Sequence, residues 1–140
     1  MDPSLSVVLP VHNAEATLAT HVAHLLDVLP DLARKFEVLI VDDGSTDHTV
    51  ESADELARQY PQLKVVRHPA RQGMSEVVRT SLAKASGELV YVQNPGRTMN
   101  NGDLSQIRAM KSQTQSAAKD RKSTRLNSSH LGIVCRLLLE

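Results

Sequence analysis

The sequence predicts an α/β protein: a mainly parallel open sheet with helices on both faces, followed by a disordered C-terminal tail. Three observations predict it. Short runs of Val, Leu and Ile alternate with segments whose apolar residues recur at helical spacing. Aromatics are scarce (Phe36, Tyr60, Tyr91 and no Trp), so the core is aliphatic, as suits a parallel sheet covered on both faces. Residues 112–130 hold ten Ser, Thr, Asn or Gln and one large apolar side chain, Leu126, too little to offset chain entropy.

Element by element, residues 5–11 are rich in Val and end at Pro10 and Asn13, which reads as a buried strand. Leu18, Val22, Leu25, Leu26 and Leu29 fall on one helical face, and Pro30 stops the pattern. Residues 36–41 form a second buried strand with Asp42-Asp43-Gly44 at its carboxyl end. Ser45 or Thr46 is expected to cap the next helix, with Asp47 and Glu51 at its positive end and Val50, Ala53, Ala57 and Tyr60 inward. Residues 63–67 make a third strand. Gly73 opens a helix with Met74, Val77, Val78, Leu82 and Ala85 inward, ended by Ser86-Gly87. Residues 89–92 make a fourth strand, followed by the turn Asn94-Pro95-Gly96 and a short helix over residues 104–110 that Asp103 caps. The organisation expected is one ligand-binding domain over residues 1–110 and a polar, basic tail over 111–140.

Charge supports that division. Residues 1–107 carry nine Lys/Arg against fourteen Asp/Glu, a sum of −5; residues 108–140 carry seven against two, a sum of +5. The acidic part offers no broad basic surface, so nucleic acid is not an expected partner. The single cysteine, Cys135, excludes an internal disulfide framework and a Cys-rich zinc site. The start lacks a basic leader, and no apolar run approaches the roughly 18 residues that span a bilayer. A cytoplasmic protein is expected, with membrane association through a missing region left open.

Asp42 and Asp43 stand where ligands of open parallel sheets bind, outside the carboxyl ends of strands. A carboxylate there can accept from a ribose diol or the N–H of a uracil ring, and Gly44 permits a sharp turn beside a ligand. The alternative is a plain strand-to-helix turn in which Asp43 caps. His21 and His24, three apart, read as surface histidines, because no third metal ligand has suitable spacing.

Three motifs tip this balance. Ser6-Val7-Val8-Leu9-Pro10-Val11-His12-Asn13-Ala14-Glu15, Glu37-Val38-Leu39-Ile40-Val41-Asp42-Asp43-Gly44-Ser45-Thr46-Asp47, and Arg71-Gln72-Gly73 followed by Ala85-Ser86-Gly87-Glu88 resemble, in order, the motifs of family-2 glycosyltransferases. The resemblance covers residues 5 to about 93. It implies a GT-A type, Rossmann-like nucleotide-binding half and a nucleotide-diphospho-sugar donor of the UDP or GDP type. It implies that Pro10, Val11 and Asn13 lie at the nucleotide and that Asp42, Asp43 and Gly44 serve base and ribose, with Asp43 first for the base and Asp42 supporting. His12 stands where the family commonly has Tyr, and Glu15 is either a further site residue or a plain helix-start acid.

The family's Asp-x-Asp motif, which holds Mg²⁺ or Mn²⁺ against the diphosphate, aligns with Asn94-Pro95-Gly96, where both acids are absent. Asn94 and Arg97 are therefore the candidate diphosphate or metal region, with no metal ligand assigned. Val78 stands where the family often has Arg. Nothing after Met110 resembles the part that supplies a catalytic base, so no catalytic residue is assigned and the chain is expected to be incomplete. Residues 121–130 resemble translated sequencing-adapter read-through, which places the expected end of native sequence near residue 118 or 120; a genuine basic tail is the other reading. Two functions follow: a glycosyltransferase acting on an unknown acceptor, or a non-catalytic member that binds nucleotide-sugars. A signalling receiver domain, suggested by Leu39-Ile40-Val41-Asp42-Asp43, lacks a phosphoacceptor Asp at a later strand end.

Overall fold

The computed structural model describes residues 4–93, 101–117 and 133–135, with side chains described for residues 4–93 and 101–111. Four parallel strands form its centre: β1 (Leu5–Val11), β2 (Phe36–Asp43), β3 (Leu63–His68) and β4 (Leu89–Val92). Helices α1 (Leu18–Val28), α2 (Thr49–Gln59) and α3 (Met74–Lys84) connect them, and α4 (Asn101–Ala117) follows. A fifth strand, β5 (Ile133–Cys135), pairs antiparallel with β4, giving the order β3-β2-β1-β4-β5.

Alternation along the strands divides the core in two. Val7, Leu9, Val38, Ile40, Leu89 and Tyr91 pack with Leu18, Val22 and Leu25 of α1, Ala53 of α2 and Ile107 of α4. Val8, Leu39, Val41, Val90 and Val92 pack on the other face, with Val77 of α3. Fully burying each Val or Leu contributes about 1.5–3 kcal/mol, so a strand covered on both faces reads as one continuous apolar run. That is why β1 and β2 were visible in the sequence.

Several elements differ from expectation. The second helix begins at Thr49, because Ser45 and Thr46 are engaged elsewhere. It ends at Gln59, leaving Tyr60 extended and exposed, while Leu56 packs inward in its place. The last helix starts at Asn101 and passes the expected domain boundary at residue 110, since residues 111–117 contain neither Pro nor Gly. Asp103 therefore lies inside its first turn, where its buried carboxylate accepts from the Tyr91 hydroxyl and ties α4 to β4. Three residues of the expected tail add β5 to the free edge of β4, a backbone pairing that needs no particular side chains. The adapter-like segment, residues 121–130, lies outside the described residues.

A polar cluster locks the amino-terminal edge of the sheet. Ser6 Oγ donates to Glu37 Oε2 (2.5 Å) and accepts from the Gly87 N–H (2.8 Å). The Ser86 N–H donates to the same Glu37 oxygen (2.6 Å), and Lys64 Nζ lies 2.8 Å from Oε1. A Cβ on Gly87 would stand 2.6 Å from Ser6 Oγ and 2.7 Å from its backbone nitrogen, so the glycine is required by close approach. Burial pushes the Glu37 carboxyl upward, but hydrogen bonds from Lys64, Ser6 and Ser86 outweigh it and hold the group below the ordinary carboxylate range.

The sign of the pH effect follows. A carboxyl depressed in the folded state contributes stability above its unfolded pKa and loses it as pH falls through the folded value. Glu37→Gln is therefore expected to lower Tm at pH 7, with the gap to wild type shrinking as pH falls below 4.5 and through the lower folded value. Thermal melts across that range check it; a gap independent of pH would show that the carboxylate charge contributes nothing.

Candidate functional site

Order along the sheet fixes where a ligand can sit. The chain passes from β1 to β2 and β3 on one side, then returns to β4 on the other, so the switch in direction falls at β1. The pairing of β1 with β4 ends at Val8 and Val92, with the Gln93 N–H donating to the Val8 carbonyl (2.8 Å). Two residues on, Pro10 faces the same side beyond the end of that pairing, where a missing N–H breaks no ladder bond. Pro10 and Val11 are both buried and pair in register with Val41 and Asp42.

Beyond Val11 the chain turns at Asn13, which has a left-handed backbone (φ 53°) that asparagine tolerates. This turn is stitched to the turn after β2. The Asn13 N–H donates to Ser45 Oγ (2.9 Å), and its Oδ1 accepts from the Thr46 N–H (2.8 Å). The Ala14 N–H donates to Thr49 Oγ1 (2.9 Å), and the His48 N–H donates to Glu15 Oε1 (3.3 Å). His12 Nδ1 donates to the Asp43 carbonyl (2.9 Å). Asp47, one residue before the His48 N-cap, accepts from the Thr49 N–H (3.0 Å) and from its hydroxyl, and neither Ser45 nor Thr46 caps the helix. The Thr49 hydroxyl leads the bonds that hold the Asp47 carboxyl below its ordinary range.

The two aspartates diverge because successive strand side chains point to opposite faces. Asp43 shares the face of Leu39 and Val41, toward α3. Its Oδ1 accepts from His68 Nδ1 (2.9 Å) and the Gln72 N–H (2.9 Å), and its Oδ2 accepts from the Gly73 N–H (3.0 Å). Gly73 opens α3, so the charge also lies at that helix's positive end. Burial raises the Asp43 carboxyl, yet the bonds from His68, Gln72 and Gly73 prevail and hold it low. Asp42 shares the face of Val38 and Ile40. It is 0% exposed; its Oδ1 accepts from Ser45 Oγ, and its Oδ2 has no hydrogen-bond partner. Leaving such a buried group unpaired costs about 1–3 kcal/mol or more.

The sequence reading put Asp43 first for a ligand and Asp42 second. The geometry gives Asp43 three donors from its own chain and leaves the unpartnered, buried oxygen on Asp42. Gly44 makes the turn with φ 72°, and a Cβ there would lie 2.4 Å from the Arg71 backbone nitrogen, because residues 70–71 cross directly over it. Pro10, Val11, Asn13, Asp42, Asp43 and Gly44 are thus gathered at the carboxyl ends of β1 and β2. Asn94, Pro95, Gly96 and Arg97 lie outside the described residues. Ser45, Thr49, His68 and Thr80 join the site region without having been singled out as ligand or support residues. The position of His68 at the end of β3 was the available signal.

Among the described residues, no group of three or more His, Cys, Asp or Glu side chains could hold a metal ion. His21 and His24 accordingly belong to no such group. No described helix is long and apolar enough to cross a membrane.

Comparison with known proteins places this geometry. A model described as "Glycosyl transferase family 2" matches residues 6–107. The chain is 33% identical over 90 residues to a dolichol-phosphate mannosyltransferase of Pyrococcus furiosus, covering 64% of this chain and 25% of that one. Among solved structures it is similar to the mannosyltransferase PcManGT from Pyrobaculum calidifontis in complex with GDP-Man and Mn²⁺: TM-score 0.59, 26% identity, 66% of this chain and 28% of that chain. It is also similar to glucosyl-3-phosphoglycerate synthase from Mycobacterium tuberculosis in complex with Mn²⁺, UDP and glucosyl-3-phosphoglycerate: TM-score 0.52, 30% identity, 65% of this chain and 33% of that chain. The chain therefore spans a third or less of the length of each of these relatives.

Proposed function

Because the chain belongs to glycosyl transferase family 2, we propose that it is the donor-binding part of a glycosyltransferase, taking a nucleotide-diphospho-sugar of the UDP or GDP type across the carboxyl ends of β1 and β2. One observation carries the reading: the buried Oδ2 of Asp42, at the end of a central strand, has no hydrogen-bond partner. Uracil and guanine each present a ring N–H that can donate to it; cytosine presents a ring acceptor at the matching position and repels it. Asn13 and Ser45 hold the two turns that frame the base, and Asp43 organises the loop above them. Arg97, which follows β4 in sequence, serves the diphosphate as a charged donor, and Asn94 assists. The sugar passes to an acceptor hydroxyl, whose binding site and base belong to a part of the protein outside this chain. A cytoplasmic place of action, with any membrane attachment made elsewhere in the protein, completes the reading.

The relatives crystallised with Mn²⁺ bind it together with a nucleotide or nucleotide-sugar. Among the described residues no group of three or more His, Cys, Asp or Glu side chains could hold a metal ion. The sequence Asn94-Pro95-Gly96, in place of two acids, favours a second reading: a member that binds the donor without transferring its sugar. Turnover of UDP- and GDP-sugars by the longer gene product separates the two, since retained binding without turnover sinks the enzyme.

Calorimetry tests the site. Wild type is expected to prefer UDP or GDP over CDP, and Asp42→Ala is expected to weaken UDP or GDP binding by roughly 10- to 100-fold, as loss of a bond to a charged group costs about 1.5–3 kcal/mol. Equal affinity for CDP, or an unchanged affinity in the variant, would place the base elsewhere.

A further inference from the structure

His68 closes β3, and its ring is buried between Asp43 and α3. Both ring nitrogens are used: Nδ1 lies 2.9 Å from Asp43 Oδ1, and Nε2 lies 2.8 Å from Thr80 Oγ1. A carboxylate only accepts, so Nδ1 carries the proton. In the neutral ring Nε2 is then an acceptor, and the Thr80 hydroxyl donates to it. The result is a directional chain, Thr80 to His68 to Asp43, running from the middle of α3 to the end of β2. At its far end the Asp43 carboxylate holds the Gln72 and Gly73 N–H groups. The segment so held crosses the Gly44 turn, close enough that one methyl group on Gly44 would meet the Arg71 nitrogen at 2.4 Å. The unpartnered Asp42 oxygen lies on the opposite face of β2 from this chain of bonds.

We propose that His68 and Thr80 are positioning residues: through the Asp43 carboxylate they hold residues 70–73 over the Gly44 turn and thereby tune nucleotide affinity. The last step rests on the proposed donor site; the holding of the loop does not.

Three measurements on the full chain separate these parts. Nitrogen NMR of the His68 ring in wild type is expected to show the proton on Nδ1. Amide exchange is expected to quicken about tenfold or more at Gln72 and Gly73 in Thr80→Val, while amides of the β1–β2 pairing keep their protection. The same variant is expected to bind UDP or GDP about two- to tenfold more weakly, the range for one neutral hydrogen bond. Thr80→Ser, which keeps the hydroxyl, restores both readouts. His68→Phe repeats the Thr80→Val exchange pattern more strongly; should it fail to fold, the Thr80 pair decides. A ring protonated only on Nε2, unchanged exchange in Thr80→Val, or a Thr80→Ser variant as impaired as Thr80→Val overturns the relay. If wild type binds neither nucleotide, the donor site falls, while the tautomer and exchange results still decide whether the loop is held this way.

Discussion

Gly44→Ala is expected to destabilise the protein by roughly 2–6 kcal/mol and to remove nucleotide binding. Two independent penalties meet at one atom. An alanine at φ 72° pays for a left-handed backbone, about 1–3 kcal/mol. Its Cβ then stands 2.4 Å from the Arg71 nitrogen and 2.7 Å from the Ala70 carbonyl carbon. Those are backbone atoms, and the Gln72 and Gly73 N–H groups just beyond are held by Asp43, so the segment cannot swing aside without breaking those bonds. Overpacking of this kind typically adds about 1–3 kcal/mol. Domains of this size are stable by only about 5–15 kcal/mol, so a large part of the total is at risk. Urea unfolding of the variant and a UDP or GDP titration check it. A wild-type midpoint would show that residues 70–71 yield freely, which would also remove the basis for a fixed loop over the turn.

The same region separates what was legible in the sequence from what was not. Strands covered on both faces announce themselves, and β1, β2 and β4 start where their apolar runs start. The start of α2 was misplaced for a specific reason. Ser45 and Thr46 are good caps by type, but a hydroxyl bonds whatever is nearest, and the Asn13 turn comes within 2.9 Å of Ser45. That neighbour lies 32 residues away in sequence. The different hydrogen bonding of Asp42 and Asp43 was half legible. Strand alternation alone says that adjacent aspartates face opposite sides. It does not say which side carries the donors, because Gln72 and Gly73 stand 29 and 30 residues from Asp43. The extension of α4 to Ala117 rests on helix propensity rather than apolar pattern, and β5, three residues of a short apolar run, is fixed by pairing with β4 that the local sequence does not show.

Exchanging each aspartate for alanine should therefore have opposite consequences, and Asp43→Ala is the destructive one. It leaves His68 Nδ1 and the N–H groups of Gln72 and Gly73 without their acceptor. His68 is buried, and each buried donor left unmatched costs about 1–3 kcal/mol, so a loss of roughly 3–5 kcal/mol is expected after partial rehydration of the loop. Asp43→Asn keeps one oxygen for His68 and Gln72 but sets an NH₂ against the Gly73 N–H, so its loss should be smaller, near 1–2 kcal/mol. Acid should narrow the Asp43→Asn gap: the carboxyl is depressed in the folded state, so its contribution is present above about pH 4 and fades as pH falls through the lower folded value. Asp42→Ala removes a buried oxygen that has no donor and forfeits only the Ser45 bond, so the fold should keep its stability to within about 1 kcal/mol while nucleotide affinity falls. Stability given up for a ligand contact is the signature of a binding residue; stability gained from a satisfied network is that of a scaffold. Denaturant curves and nucleotide titrations on the two variants test the assignment together. An Asp43→Ala protein that folds normally and loses only nucleotide, beside an Asp42→Ala protein that unfolds, would exchange the two roles.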